Sequence, residues 1–208
     1  MQKRAVLSVL AMSVLAVVPA MAADGGALND SERAFLIEQM EMSKKAFLAS
    51  ISGLSDAQWK FKPAPAVWSV QECAEHIVLS ETFLFDMSQN ILKSPAVPRP
   101  DKSNSAFDQQ LAVGVQDRSH KATAPAPIDP AGRSAGLTPA GAAKAFTEKR
   151  DANEAYVKTT SDDLRTHVAP GPAGPMDAYQ FLVLLATHTA RHTEQIKEVQ
   201  ANANYPAK

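Results

Sequence analysis

Apolar side chains recur along this chain at the three-to-four-residue interval of a helix in four separate stretches. The first covers residues 28–51. There Phe35, Met40, Phe47, Leu48 and Ile51 keep roughly helical spacing with Ile37 flanking, Asn29 or Asp30 stands where an N-cap belongs, and Gly53 supplies a stop. Residues 54–67 lose the pattern and carry Pro63 and Pro65, which reads as a loop or short turn. A second helix opens at Ser69 with Glu72 three residues on. In that spacing the hydroxyl and the carboxylate each satisfy a free backbone N–H of the first turn. It continues to about Lys93, ahead of Pro95. A third starts at Thr138-Pro139, a capping hydroxyl followed by a residue whose missing N–H is harmless at the first helical position. It carries Phe146, Tyr156 and Val157 and fades near Thr160. The fourth, residues 176–201, contains the dense apolar run FLVLLA at 181–186.

The pattern weakens between the second and third helices. Seven prolines from Pro95 to Pro139 exclude a long continuous helix there. Residues 105–118 can form a short one, and the remainder, including KATAPAPIDPAGR, is a crossing loop. A connection of this length is more often functional or bundle-spanning than idle. Pro170, Pro172 and Pro175 mark another loop. Strand alternation, internal repeats and a glycine-rich phosphate loop are all missing from the pattern. Four main helices with one long crossover between the second and third predict an all-α fold, a four-helix bundle.

The N-terminus departs from this picture. Residues 1–22 read MQKRAVLSVLAMSVLAVVPAMA, with Lys3 and Arg4 ahead of an apolar stretch and a small-x-small ending at Ala20-Met21-Ala22. That is the design of a secretory signal peptide, so cleavage is expected near Ala22 and residues 23–208 form the folded domain. The apolar stretch is short for a membrane span, and no cysteine near the cleavage point offers a lipid anchor. The expectation is a protein without a stable membrane anchor, periplasmic or secreted. Removing 22 of 208 residues leaves 186, enough for one well-buried domain, and the 21 basic residues fall to 19 against 22 acidic ones, a net charge of −3. This mildly acidic balance, with no basic run, argues against nucleic acid as a partner. Cys73 is the only cysteine, so no intramolecular disulfide can form even in an oxidising compartment.

Candidate chemistry resides in histidine. His188 and His192 stand four apart in HTARHTEQI, which places both rings on one helical face, and the preceding apolar run implies that this face is buried. Buried imidazoles need partners, and one metal ion satisfies several at once. His76, early in the second helix, supplies a third imidazole, and three protein ligands with an open fourth position is the pattern of a catalytic metal site. The alternative is three histidines that only pack and hydrogen-bond. Gln195 lies on the face shared by His188 and His192 and can orient a bound water. Glu72, one turn before His76, can act as a base, although the helix cap already explains it. Arg191 offers either an anion contact or a surface salt bridge, Cys73 reads as a small buried thiol, and Trp59 and Trp68 read as hydrophobic anchors. His120 and His167 carry no spacing signal.

The segments QWKFKPAPAVWSVQECAEHI and HTARHTEQI, with W-S-x-x-E-x-x-x-H and H-x-x-R-H-x-x-Q as their motif-like parts, resemble the DinB-like (damage-inducible, DinB/YfiT-type) metalloprotein superfamily. The resemblance implies a four-helix bundle of up-down-down-up topology. It also implies a divalent metal, commonly zinc or nickel, held by His76, His188 and His192; three imidazoles suit iron and copper as well. It further implies thiol-dependent transferase or metal-dependent hydrolase activity on a small molecule. The leader argues against thiol transfer, because low-molecular-weight thiols are scarce or oxidised outside the cytoplasm. A non-catalytic metal- or ligand-binding module of the periplasm is the alternative, and an exposed helix face leaves room for a homodimer.

Overall fold

The computed structural model describes residues 26–98, 104–130 and 135–208, so the expected leader lies outside the described residues. Among the described residues six helices occur in the order α1 Asp30–Ile51, α2 Asp56–Lys60, α3 Val70–Ile91, α4 Ser105–Gln116, α5 Pro139–Thr159 and α6 Ala178–Gln200, with a 3-10 turn at Ala126–Ile128. Their starts follow local chemistry. Asn29, Ser69 and Asp177 each accept the N3 amide while the N3 side chain, Glu32, Glu72 or Gln180, reaches back to the cap amide. Thr138 caps α5 ahead of Pro139, and α1 ends at Ser52 before Gly53, whose φ of +67° suits the left-handed stop.

The four long helices pack as a ring in which α1 touches α6 and α5, and α3 touches α6 and α5. Contacts fix their directions. Tyr179 donates to the Glu32 carbonyl at one end and Gln200 to the Ser50 carbonyl at the other, so α1 and α6 are parallel. Phe47 meets Phe146 while Arg33 reaches the Val157 carbonyl, so α1 and α5 are antiparallel. Lys149 meets Thr82 and Tyr156 meets Phe85, which makes α3 and α5 parallel; His76 beside His192 and Glu81 beside Thr189 make α3 and α6 antiparallel. The long helices therefore run up, down, down, up. The fold is all-α in its framework, and the crossover between α3 and α5 carries α4, which packs on α6.

Two local elements sharpen the expectation. Within the loop or short turn read at residues 54–67, residues 56–60 close a single helical turn, because Ser55 and Gln58 make their own reciprocal cap. The proline-rich stretch after α5 contains a two-stranded antiparallel hairpin, β1 Val168–Gly171 and β2 Gly174–Asp177, with Pro170 opposite Pro175 and Gly174 at a φ of +94°. A ribbon with proline in both strands and no alternation leaves no period-two signal to read.

The core is divided. One apolar cluster around Leu36, Met40, Leu84, Val157, Phe181 and Leu185 fills one end, and a second around Phe47, Ile77, Phe146 and Ile196 fills the other. Between them lies a polar layer with a contribution from every long helix. The Arg150 guanidinium, fully buried, donates to Glu81 at 2.5 and 3.0 Å, to Ser43 at 2.8 Å, to the Met40 carbonyl at 2.7 Å and to Thr189 at 3.0 Å. At the far end Arg165, equally buried, ties Glu32 of α1, Asp108 of α4 and Asp177 at the head of α6, with the Tyr179 ring 4.1 Å from its guanidinium carbon.

Candidate metal centre

His76 projects from the first two turns of α3, His188 and His192 from the middle of α6, and antiparallel packing of these helices brings the three rings together. One ring nitrogen from each lies within 4.8 Å of the other two. His76 Nε2 and His188 Nε2 are 3.2 Å apart, close to the roughly 3.3 Å edge of a tetrahedron built on metal–nitrogen bonds of about 2.0–2.1 Å.

The outer nitrogens decide the protonation. His76 Nδ1 is 2.7 Å from the Ile128 carbonyl; a carbonyl only accepts, so Nδ1 carries the hydrogen and Nε2 keeps its lone pair. His192 Nδ1 faces Gln195 Oε1 at 2.8 Å, which leaves its Nε2 as the free nitrogen by the same reasoning. His188 Nδ1 is buried and has no hydrogen-bond partner among the described residues. Burial pushes all three imidazoles below their usual range, His192 to about 3 and His188 well down, and the neighbouring rings reinforce the effect for these two. Near neutral pH the three rings are thus uncharged, and at least two lone pairs converge on one point. A single shared proton between His76 and His188 satisfies one of them. A metal ion satisfies all, so the residues fit the ion that three imidazoles imply.

The profile of the DinB superfamily matches residues 39–196, well over half of the chain and inclusive of all three histidines. The chain belongs to the DinB superfamily. No curated protein and no solved structure gives a significant match. As in the resemblance noted from the motifs, this DinB-superfamily chain presents a three-histidine group able to hold a metal ion.

The other candidate residues are placed as follows. Gln195 turns its oxygen to His192 Nδ1, behind the ring. The Glu72 carboxylate accepts from the Ser69 amide at 2.7 Å and from Lys62 at 2.7 and 2.8 Å, so its cap role is realised and a lysine holds the rest. Arg191 donates to the carbonyls of Val115, Asp117 and His120, tying the crossover to α6 rather than waiting for an anion. Cys73 is fully buried among apolar residues, which pushes its thiol well above the usual range. Trp59 is the anchor expected, buried with its indole N–H on the Leu137 carbonyl at 2.7 Å. Trp68 is more than an anchor: its ring lies 5.0 Å from His76 and 5.9 Å from His192, partly exposed against the two imidazoles.

Four contributing residues carried no sequence signal. The Ile128 carbonyl lies 52 positions from His76 in a proline-rich loop, and a backbone oxygen has no residue type to flag it. Arg118 and Glu198 pair at 2.6 Å across 80 positions beside Gln195. Glu75, next to His76, accepts from the amides of Ala135 and Leu137 at 3.1 Å and so pins the end of the crossover to α3.

Proposed function

We propose that this protein is an exported, metal-dependent hydrolase or transferase acting on a small molecule, with His76, His188 and His192 as the ligands of one divalent ion, zinc or nickel before iron or copper. The observation that carries the reading is the convergence of neutral imidazole nitrogens, with the outer nitrogens of His76 and His192 already engaged by oxygen acceptors. A divalent ion held by three imidazoles keeps a position open to a ligand and supplies Lewis-acid chemistry there. The chain's own residues do the rest. Ile128 and Gln195 hold two rings in register, and Trp68 offers a half-exposed aromatic wall beside them. The leader at 1–22 supports action outside the cytoplasm, which favours hydrolysis over transfer to a low-molecular-weight thiol.

One observation favours a non-catalytic binding module as the second reading. The oxygens of Glu72 and Gln195, the two candidates the sequence offers for handling a proton or a water, are engaged by the helix cap, Lys62 and His192. Elemental analysis of untagged protein, beside a screen of ester, amide, phosphoester and thiol-transfer substrates, separates the readings. Metal near one ion per chain with turnover, both lost in His188→Ala, supports the enzyme. Metal without turnover supports the binder. No metal after incubation with zinc and nickel overturns both.

A further inference from the structure

His192 differs from His76 in what stands behind it, a side chain rather than a backbone carbonyl, and that side chain is itself held. Gln195 Oε1 lies 2.8 Å from His192 Nδ1 and 3.5 Å from Arg118 Nη1. Arg118 in turn is clamped by Glu198, donating from Nε and Nη2 to its two carboxylate oxygens at 2.6 and 2.7 Å. An amide can present either its oxygen or its NH2 to a neighbour. With a guanidinium on that side, the oxygen is favoured. The reversed amide would set its NH2 against Arg118 and would require His192 Nδ1 to accept. The ring hydrogen would then sit on Nε2 and block the lone pair a metal needs.

We infer that Gln195 and Arg118 are positioning residues of the three-histidine centre, holding His192 in the tautomer that can bind a metal, and that metal occupancy thereby secures the crossover against α6. Arg118 follows Asp117, the C-cap of α4, and Arg191, the residue before His192, holds the same stretch through the carbonyls of Val115, Asp117 and His120. At its other end the crossover reaches the centre again, where the Ile128 carbonyl meets His76. Both ends of the segment therefore lead by a polar contact to a ligand ring. Coupling of this kind is reciprocal: whatever the metal does for the crossover, the docked crossover does for the metal.

The inference rests on the three histidines being metal ligands, and the test separates the two claims. Zinc(II) alone is titrated into the untagged full chain against a chromophoric chelator, for wild type, Gln195→Ala, Gln195→Glu and Arg118→Met. Gln195→Ala should weaken zinc binding about 10–100-fold while the melting temperature of the metal-free protein stays unchanged. Gln195→Glu, whose carboxylate still accepts from Nδ1, should bind as tightly as wild type or tighter, and Arg118→Met should show a smaller loss than Gln195→Ala. Amide exchange across residues 115–120 should slow on zinc addition in wild type and not in Gln195→Ala. Should Gln195→Ala fail to fold, Gln195→Glu and Arg118→Met carry the comparison. Unchanged affinity in Gln195→Ala, or equal losses in the alanine and glutamate variants, overturns the positioning role and leaves the metal centre standing. A wild type that binds no zinc overturns the metal reading and this inference together.

Discussion

At the scale of single residues, the centre is defined by where hydrogens are not. His76, His188 and His192 are held below their ordinary range chiefly by burial, so the folded protein prefers them neutral, whereas the unfolded chain protonates them near pH 6.5. The sign follows from linkage. Above about pH 6.5 both states carry neutral rings and the contribution to stability is complete. As pH falls below that, the unfolded state takes up protons that the folded state refuses, and stability declines until the folded rings themselves protonate, for His192 at about 3. Each imidazole adds up to about 1.4 kcal/mol per pH unit in that window. Urea unfolding of the metal-free protein should accordingly be flat from pH 8 to 7 and fall steeply between pH 6.5 and 5, with a shallower slope in His192→Gln. A flat profile through that window would show that the rings are not held neutral in the fold.

The elements carry a second dependence, in the polar layer that interrupts the core. Arg150 on α5 and Glu81 on α3 are fully buried, and the arginine also reaches α1 and α6, so the layer sets the register of all four long helices at one level. Thr189 accepts from Arg150 and donates to Glu81, and it is the immediate neighbour of His188. Register in this layer is thus register in the histidine cluster. Removing one partner leaves a buried charge unmatched, so Arg150→Met should cost about 3–5 kcal/mol in chemical unfolding. The double variant Arg150→Met, Glu81→Leu should recover much of that loss. Equal stability of wild type and Arg150→Met would show that the pair is not confined as described.

Legibility in the sequence follows the same division. The long helices could be read because period and caps coincide: Ser69 with Glu72, Thr138 with Pro139, Asn29 ahead of Phe35 and Met40. His188 and His192 were legible because both rings leave one helix four residues apart, and His76 because its helix start was marked. What escaped depends on pairing across long separations. Arg150 with Glu81, Arg165 with Asp108, and Arg118 with Glu198 join positions 57 to 80 apart, and nothing in their local context distinguishes them from solvated surface charges.

At the scale of the whole molecule, the centre lies where stability and ligand binding become one quantity. Its three histidines come from α3 and α6, while the crossover reaches His76 through the Ile128 carbonyl and His192 through Arg118 by way of Gln195. An ion bound by the folded chain and not by the unfolded one shifts the unfolding equilibrium by mass action, about 2.7 kcal/mol when free metal stands a hundredfold above its dissociation constant. For a domain of this size that is a rise of roughly 5–10 °C in melting temperature. Zinc or nickel should raise the transition by this order, a chelator should reverse it, and His188→Ala should melt alike with and without metal. The fold does not depend wholly on the ion, since apolar clusters fill both ends of the helix ring. Metal-free protein should therefore keep its helical circular dichroism while losing exchange protection first along residues 115–130, the segment whose contacts lead to His76 and His192. If chelation instead unfolds the whole chain in one step, the metal is part of the core and not a ligand bound to a finished scaffold.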